Sequence, residues 1–213
     1  FFWTAMAWKA RCEKEWQDVR HAAVDTRRSY LCRLPSGAEI VLYFYDGTTS
    51  RAVAFEGLLR NGEHFAQRVL ALHDNAGDAD LAHIATDGET YGHHHPHGEM
   101  ALAYALHHIE ERQLAELTNY AAYLEIQPPV WEVQISENTS WSCAHGVERW
   151  RSDCGCHTGG APGWHQGWRG PLRAALDWLR DEITPHFELH AAELLKDPWA
   201  ARDDYIDVIL DRR

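Results

Sequence analysis

Two carboxylates, Asp87 and Glu89, stand two positions apart around a glycine, and a cluster of histidines follows them. Because two nearby negative charges repel, such a pair tends to retain one proton near neutral pH. A carboxylic acid that keeps its proton can donate it to a leaving glycosidic oxygen. We therefore predict acid and base chemistry with Asp87 at its centre and Glu89 beside it, and we expect His93 and His94 to hydrogen-bond substrate hydroxyls. The alternative is a structural turn in which Asp87 caps the helix that follows.

A tryptophan-rich segment in the C-terminal half carries a second set of candidate binding residues. The chain has ten tryptophans, and the flat apolar face of an exposed indole packs well against the C–H face of a sugar ring. We predict that Trp141 and Trp150 stack on sugar rings. We also predict that His145, Glu148 and Arg149 bind hydroxyls or orient a carboxylate. A well-packed lid without substrate contact is the alternative interpretation.

The same segment contains two short cysteine and histidine pairs, Cys143-x-His145 and Cys154-x-Cys156, and His157 follows the second pair. Thiolates and imidazole are the ligands that tetrahedral zinc prefers. The spacing matches no common zinc motif closely, since the usual pair is Cys-x-x-Cys. Reduced thiols or a redox-labile cysteine pair are therefore the first expectation, and a structural metal is the alternative.

The two aspartates Asp46 and Asp87 each follow a short run of β-forming residues, at 40–45 and 81–86. Runs that are apolar throughout are typical of strands buried on both faces, as in parallel sheets. Active sites of parallel α/β folds lie at the carboxyl ends of their strands. We therefore consider Asp46 a second substrate-binding acid, with an ordinary strand-ending turn as the alternative.

The remaining pattern alternates helices and strands and predicts an α/β fold. An irregular stretch, 136–170, is too rich in Trp, His and Cys to be disordered and is expected to be functional. Helices are predicted over 5–20, 50–60, 62–73, 98–125, 171–184, 187–196 and 200–211, with a third strand over 130–135.

Composition excludes several classes of function. The 20 basic and 32 acidic residues give a net charge of −12, which disfavours nucleic acid and anionic membrane surfaces as partners. The sequence contains no apolar stretch long enough to span a bilayer and no signal peptide. Five cysteines, an odd number, favour a reducing compartment, so we predict a cytoplasmic protein. Nucleotide-binding loops and a serine nucleophile elbow are missing, and no cofactor is predicted.

The run Ile84-Ala85-Thr86-Asp87-Gly88-Glu89-Thr90-Tyr91-Gly92 resembles the fourth motif of glycoside hydrolase family 57, the family of α-amylases, 4-α-glucanotransferases and branching enzymes. Three further stretches, 44–47, 51–59 and 137–156, are similar to a bacterial branch of that family in which the barrel precedes a C-terminal domain of unknown function. The resemblance extends over most of residues 1–170.

The resemblance implies that residues 1–170 form part of a distorted (β/α)7 barrel and that residues 171–213 form a helical segment packed on it or extending it. It also implies a retaining mechanism with two carboxylates, in which Asp87 matches the general acid/base. The family's nucleophile is a glutamate on an earlier strand. Residues 1–10 look like the segment that follows it, so we expect an internal fragment whose nucleophile precedes Phe1. Glu39, Glu56 and Glu63 are not flanked by the residues that surround the nucleophile in that family.

The leading hypothesis is a retaining glycoside hydrolase or transglycosylase that acts on an α-glucan together with the remainder of the parent chain. Because retention needs two carboxylates about 5 Å apart, the fragment by itself is expected to be inactive. A second hypothesis is a metal-dependent hydrolase or deacetylase whose divalent metal is held by Asp87, His93, His94 and His97. A third is a sugar-binding module without catalysis.

Overall fold

A computed structural model describes residues 5–20, 23–73, 81–140, 142–156 and 160–211. The chain divides into two compact units, Phe1–Ser142 and Cys143–Arg213. The division lies between residues 142 and 143, so the predicted domain boundary at residue 170 falls inside the second unit. The two units are described separately.

The first unit contains a five-stranded mixed sheet. Its strands are β1 (Ala5–Ala10), β2 (Gln17–Asp18), β3 (Ser29–Arg33), β4 (Glu39–Tyr43) and β5 (Trp131–Ile135). Their order across the sheet is β2-β1-β5-β3-β4, and every neighbouring pair is antiparallel except β3 and β5, which are parallel. The sheet therefore brings the N-terminal strand of the chain beside a strand that lies more than a hundred residues later.

One face of this sheet is closed by a small apolar cluster. Tyr30 is almost completely buried, and its hydroxyl donates a hydrogen bond of 2.8 Å to the carbonyl of Asp25. This satisfies the one polar atom that the ring takes into the interior. Trp8 and Trp131 meet edge to face with their centroids 4.4 Å apart. The buried members of the cluster are Ala5, Val19, Tyr30, Cys32 and Val133.

Helices of the first unit begin at polar residues that cap them. They are α1 (Gly47–Phe55), α2 (Gly62–Leu70), α3 (Gly98–Glu111) and α4 (Tyr120–Ile126). Asn61 caps α2 and Asn119 caps α4, each through its side-chain oxygen. These bonds satisfy backbone N–H groups that the first turn of a helix leaves without a partner.

The helices pack around a second apolar cluster. On α3 the buried residues Ala101, Ala105 and Ile109 recur every four positions, which places them on one face of the helix. The small side chains of that face allow close approach to Phe65 and Ala66 on α2. Val53 and Leu59 complete the buried set.

The second unit consists of the short helix α5 (Glu148–Arg151) and two long ones, α6 (Arg169–Ala191) and α7 (Pro198–Leu210). α6 continues through Pro185, so the predicted break between 184 and 187 is wrong. Asp197 caps α7 and Pro198 occupies its first turn, where a missing N–H costs nothing. Among the described residues, no helix combines the length and the apolar composition needed to span a lipid bilayer.

Three predictions for the first unit are corrected by the structure. Residues 5–20 form β1 and β2 rather than a helix, because β1 pairs with β5 along its whole length. Residues 81–86 are extended but form no strand. The predicted helix over 98–125 is two helices, separated after Glu111, where Gln113 takes a left-handed backbone conformation with φ of 54°.

The fold class is confirmed at the level of a mixed α/β architecture with one five-stranded sheet among the described residues. The sheet is largely antiparallel, and β4 is exposed or half-buried along its length, so the expectation of strands buried on both faces in a parallel sheet is wrong for these residues. The helix over 62–73 and the strand over 130–135 lie where the pattern predicts them.

Replacing Phe65 with Ala should lower the free energy of unfolding of the first unit by about 3 kcal/mol or more, because the ring is buried between α2 and α3 and its loss leaves a cavity. Phe55→Ala is the matched control, since that ring is 78% exposed and its removal should change stability by no more than about 0.5 kcal/mol. Urea denaturation of both variants measures the difference. Equal effects would contradict the assigned core.

Candidate functional site

The extended segment 81–87 carries Asp87 and is attached by separate hydrogen bonds to the residues just before β3 and to the start of α1. The Leu81 N–H donates to the Arg27 carbonyl at 3.0 Å, and the Asp46 N–H donates to the His83 carbonyl at 3.4 Å. The Ala85 N–H donates to the Ser50 hydroxyl at 3.2 Å. These bonds join the segment to three neighbours in turn, which explains why it is extended without a regular strand ladder.

His83 anchors the middle of that segment through both ring nitrogens. Nε2 lies 2.8 Å from the Thr26 carbonyl, which can only accept, so Nε2 carries the proton. Nδ1 lies 3.1 Å from the Tyr120 hydroxyl and accepts from it. This tautomer satisfies a neutral imidazole completely. Burial accordingly lowers the pKa of His83 below its ordinary value of 6.5, although hydrogen bonding to the Thr26 carbonyl opposes the shift.

Asp46 is a helix cap in the structure. Its Oδ1 accepts a hydrogen bond of 2.6 Å from the Thr49 N–H, and its carbonyl accepts one of 2.8 Å from the Ser50 hydroxyl. These two bonds give Asp46 a structural role at the start of α1. Its contact with a sugar stays a prediction.

Asp87 precedes a single 3-10 turn, Gly88–Thr90. The Asp87 carbonyl accepts from the Thr90 N–H at 3.0 Å, but the carboxylate makes no capping bond to this turn. The alternative prediction, in which the Asp87 side chain caps the helix that follows, is therefore wrong. Both Asp87 and Glu89 are exposed.

The backbone that presents these carboxylates is held on its inner side. Thr90 is buried, and the Thr86 hydroxyl donates to the Tyr91 hydroxyl at 3.1 Å. The Nε2 of His95 lies 3.0 Å from the Ala54 carbonyl and donates to it, which joins the loop to α1. Gly92 has a φ of 117°, a conformation that residues with a Cβ rarely adopt. The turn is consequently fixed while its acidic side chains point outward.

The predicted histidines lie beside the carboxylates. The backbone N–H groups of His93 and His94 both donate to the Glu89 carbonyl, at 3.2 and 3.0 Å. The Nε2 of His94 is 3.7 Å from Glu89 Oε2. The rings of His93 and His94 have centroids 4.9 Å apart. The structure thus places both histidines against Glu89 in the loop that carries Asp87, and their contact with a substrate stays a prediction.

The other predicted binding residues are divided between the second unit and positions outside the described residues. Trp141 and His157 lie outside the described residues. Glu148 pairs with Arg151 on α5 at 2.7 Å, and this hydrogen bond holds the pKa of Glu148 below its ordinary value. Trp150 is 53% exposed, so its ring is accessible for stacking.

The second unit contains a compact group of metal-binding side chains. Cys143, His145, Cys154 and Cys156 each offer one ligand atom, and these four atoms lie within 4.8 Å of one another. The Cys143 Sγ is 3.8 Å from the Cys154 Sγ and 3.6 Å from the His145 Nδ1. The Cys156 Sγ is 3.2 Å from that same Nδ1. Four of the cysteine and histidine residues considered in the metal alternative therefore lie together, and the fifth, His157, is outside the described residues.

Backbone and side-chain donors surround the sulfur atoms of this group. The backbone N–H of His145 donates to the Cys143 Sγ at 3.3 Å. The guanidinium Nη1 of Arg169, at the start of α6, donates to the Cys154 Sγ at 3.8 Å. A backbone hydrogen bond from Cys156 holds the pKa of Cys154 below its ordinary value. The hydrogen bond with Cys143 raises the pKa of Cys156. Sequence reasoning missed Arg169, because no motif joins it to the cysteines.

Comparison with models of known protein families gives a match in the C-terminal part of the chain. Residues 164–213 match a domain of unknown function, DUF3536, and this range contains α6 and α7. A search of curated proteins finds no match to the chain.

The stability of the first unit should fall as the pH drops below about 6.5, because the unfolded chain protonates His83 there while the folded chain resists it. The contribution is fully present above 6.5 and is lost towards the lower folded pKa, at no more than about 1.4 kcal/mol per pH unit. His83→Gln should flatten this dependence, whereas His64→Gln, at an exposed position of α2, should not. Urea midpoints at neutral and mildly acidic pH provide the measurement. An unchanged slope in His83→Gln would refute the assigned neutral form.

Proposed function

We propose that the chain contributes the general acid/base of a retaining glycoside hydrolase or transglycosylase that acts on an α-glucan. The observation that carries the proposal is the Asp87 loop. A buried inner side fixes its backbone, and the Asp87 carboxylate is presented outward without serving as a helix cap. A group in that position is available to a ligand, which a capping carboxylate is not.

The match of the C-terminal residues to DUF3536 supports the same assignment. DUF3536 is a domain found C-terminal to glycoside hydrolase family 57 domains. Here it covers 164–213, downstream of the loop that resembles the fourth motif of that family. The order of the two features along the chain agrees with the order expected of such proteins. We accordingly propose a distorted (β/α)7 barrel as the complete catalytic fold.

In this mechanism Asp87 performs two proton transfers. It protonates the departing glycosidic oxygen while a nucleophilic carboxylate attacks the anomeric carbon, and it then deprotonates the water or sugar hydroxyl that releases the glycosyl intermediate. Glu89, His93 and His94 lie in the same loop and would contact the hydroxyls of the bound sugar. The nucleophile is the glutamate that the resemblance places upstream of Asp87.

No observation favours the metal-dependent hydrolase as a second function. Within the described residues, the side chains that gather with metal-ligand spacing are Cys143, His145, Cys154 and Cys156, and Asp87 is not among them. None of the five cysteines forms a disulfide, which fits the reducing compartment expected of an enzyme of cytoplasmic α-glucan.

Asp87→Asn in the complete protein should lower kcat/KM on a maltooligosaccharide by about 100-fold or more, because the amide cannot donate or accept the transferred proton. The loss should be much smaller for α-glucosyl fluoride in the glycosylation step, since fluoride leaves without protonation. Glu110→Gln, an exposed position on α3, is the matched control and should leave the rate unchanged. The kcat/KM values on both substrates, measured at low substrate concentration so that they report the glycosylation step, separate these expectations.

A wild-type rate in Asp87→Asn would refute the acid/base assignment. An equal loss on both substrates would refute it as well, because that result indicates a role in binding or folding. Thermal unfolding of the variant alongside the wild type checks that the loop remains intact.

A further inference from the structure

The ligand atoms of Cys143, His145, Cys154 and Cys156 have the separations of a tetrahedral zinc site. With Zn–S bonds of about 2.3 Å and Zn–N bonds of about 2.0 Å, a tetrahedron places two sulfurs about 3.8 Å apart and a sulfur and a nitrogen about 3.5 Å apart. The measured distances are 3.8 Å between the Cys143 and Cys154 sulfurs, and 3.6 and 3.2 Å between sulfurs and the His145 Nδ1. These three separations are close to the expected values, and all four ligand atoms lie within 4.8 Å of one another, so they surround a space of the size that one metal ion takes.

From this geometry we infer that the four side chains bind one Zn²⁺ as a structural centre. Three thiolates and one imidazole form a ligand set that zinc favours over magnesium or calcium, which require oxygen. Four protein ligands complete the tetrahedron and leave no position for water or substrate. The centre therefore holds the chain in place and takes no part in the proposed glycosyl transfer.

A disulfide does not explain the same arrangement. The bond between two cysteine sulfurs is about 2.05 Å long, whereas the Cys143 and Cys154 sulfurs are 3.8 Å apart. A single disulfide would also give no reason for His145 to lie against the two sulfurs of Cys143 and Cys156. A single metal ion at the centre accounts for the convergence of all four groups.

The local backbone is shaped for metal-bound thiolates. The His145 N–H points at the Cys143 Sγ, two residues before it in the first pair, and the Cys156 backbone donates to Cys154 in the second pair. Gly155, between the two cysteines of the second pair, has a φ of 77° that allows this turn. In both pairs, the backbone N–H of the second residue therefore donates to the sulfur of the first residue and stabilises the negative charge on it.

Arg169 extends the centre to the longest helix of the unit. Three thiolates and one Zn²⁺ leave a net charge of about −1, and the guanidinium 3.8 Å from the Cys154 Sγ partly neutralises it. Because Arg169 is the first residue of α6, the metal fixes the start of that helix against residues 143–156. Hydrogen bonds from outside the ligand set commonly orient and tune metal sites in this way.

The second unit has few apolar residues to stabilise it without a metal. In its described part, Cys143 and Ala191 are the buried apolar residues, and most large apolar side chains of α6 and α7 are exposed. The first unit, by contrast, has two buried clusters. Small units without a sufficient core commonly depend on a metal, whose binding energy then becomes folding energy.

The first test measures metal content in the complete protein, purified under reducing conditions without added chelator. Elemental analysis should find about one zinc per chain. Replacement by Co²⁺ should give the sulfur-to-metal charge-transfer and ligand-field bands of a tetrahedral thiolate site. Iron in place of zinc, a disulfide among the four residues under these conditions, or failure of the reduced apoprotein to bind either Zn²⁺ or Co²⁺ would each overturn the proposal.

The second test uses matched variants. Cys154→Ser should lower the bound zinc at least about tenfold, whereas Cys12→Ser, an exposed cysteine outside the group, should keep it. His145→Cys should retain zinc and shift the cobalt spectrum towards that of four thiolates, because zinc accepts either ligand. His186→Cys, at an exposed position of α6, should leave the spectrum unchanged.

Because His145→Cys keeps a complete ligand set, it separates loss of metal from loss of fold. A cobalt spectrum in His145→Cys identical to that of the wild type would remove His145 from the site and refute the four-ligand centre. Full zinc content in Cys154→Ser would do the same for the second cysteine pair. Neither readout depends on catalysis, so the outcome is independent of the assignment of Asp87.

Discussion

The backbone that leads to the acidic loop is held by two hydrogen bonds of the His83 ring. In its neutral form, which burial favours, His83 donates to the Thr26 carbonyl and accepts from the Tyr120 hydroxyl. The ring thus joins the residues before β3, the extended segment and α4 in one place. A protonated Nδ1 could no longer accept from Tyr120. In its neutral form His83 therefore supports the backbone that continues to Asp87, four residues later.

The two units of the chain are stabilised in different ways. The first has apolar clusters on a sheet and between α2 and α3, with capped helices around them. The second has long helices with exposed apolar side chains and a concentrated group of sulfur and nitrogen ligands. The stabilisation from hydrophobic burial increases with the apolar area removed from water, whereas a metal centre gives a large stabilisation through four side chains alone. A unit of about seventy residues is small enough for that distinction to matter.

Local patterns predicted α2, β5 and a turn at Asp87, because helix periodicity, strand alternation and an Asp-Gly turn are all read from neighbouring residues. They failed for β1, whose charged residues suit a helix face but which is held as a strand by its pairing with β5. The metal group shows the same limit. The distance between Cys143 and Cys154 is set by the path of the residues between them, and no pairwise spacing rule contains that information.

The position of β4 at one edge of the sheet has a consequence for handling the protein. In the described part of the sheet β4 pairs with β3 alone, so its outer row of backbone donors and acceptors faces away from the ladder. Exposed edges of this kind template pairing with other chains, and proteins commonly cover or interrupt them. Glu39 puts a charge at one end of β4, and the Asp46 N–H, just past the other end, is taken by the His83 carbonyl. The edge therefore carries two of the features with which proteins interrupt exposed strands, a charge at one end and a backbone contact just past the other.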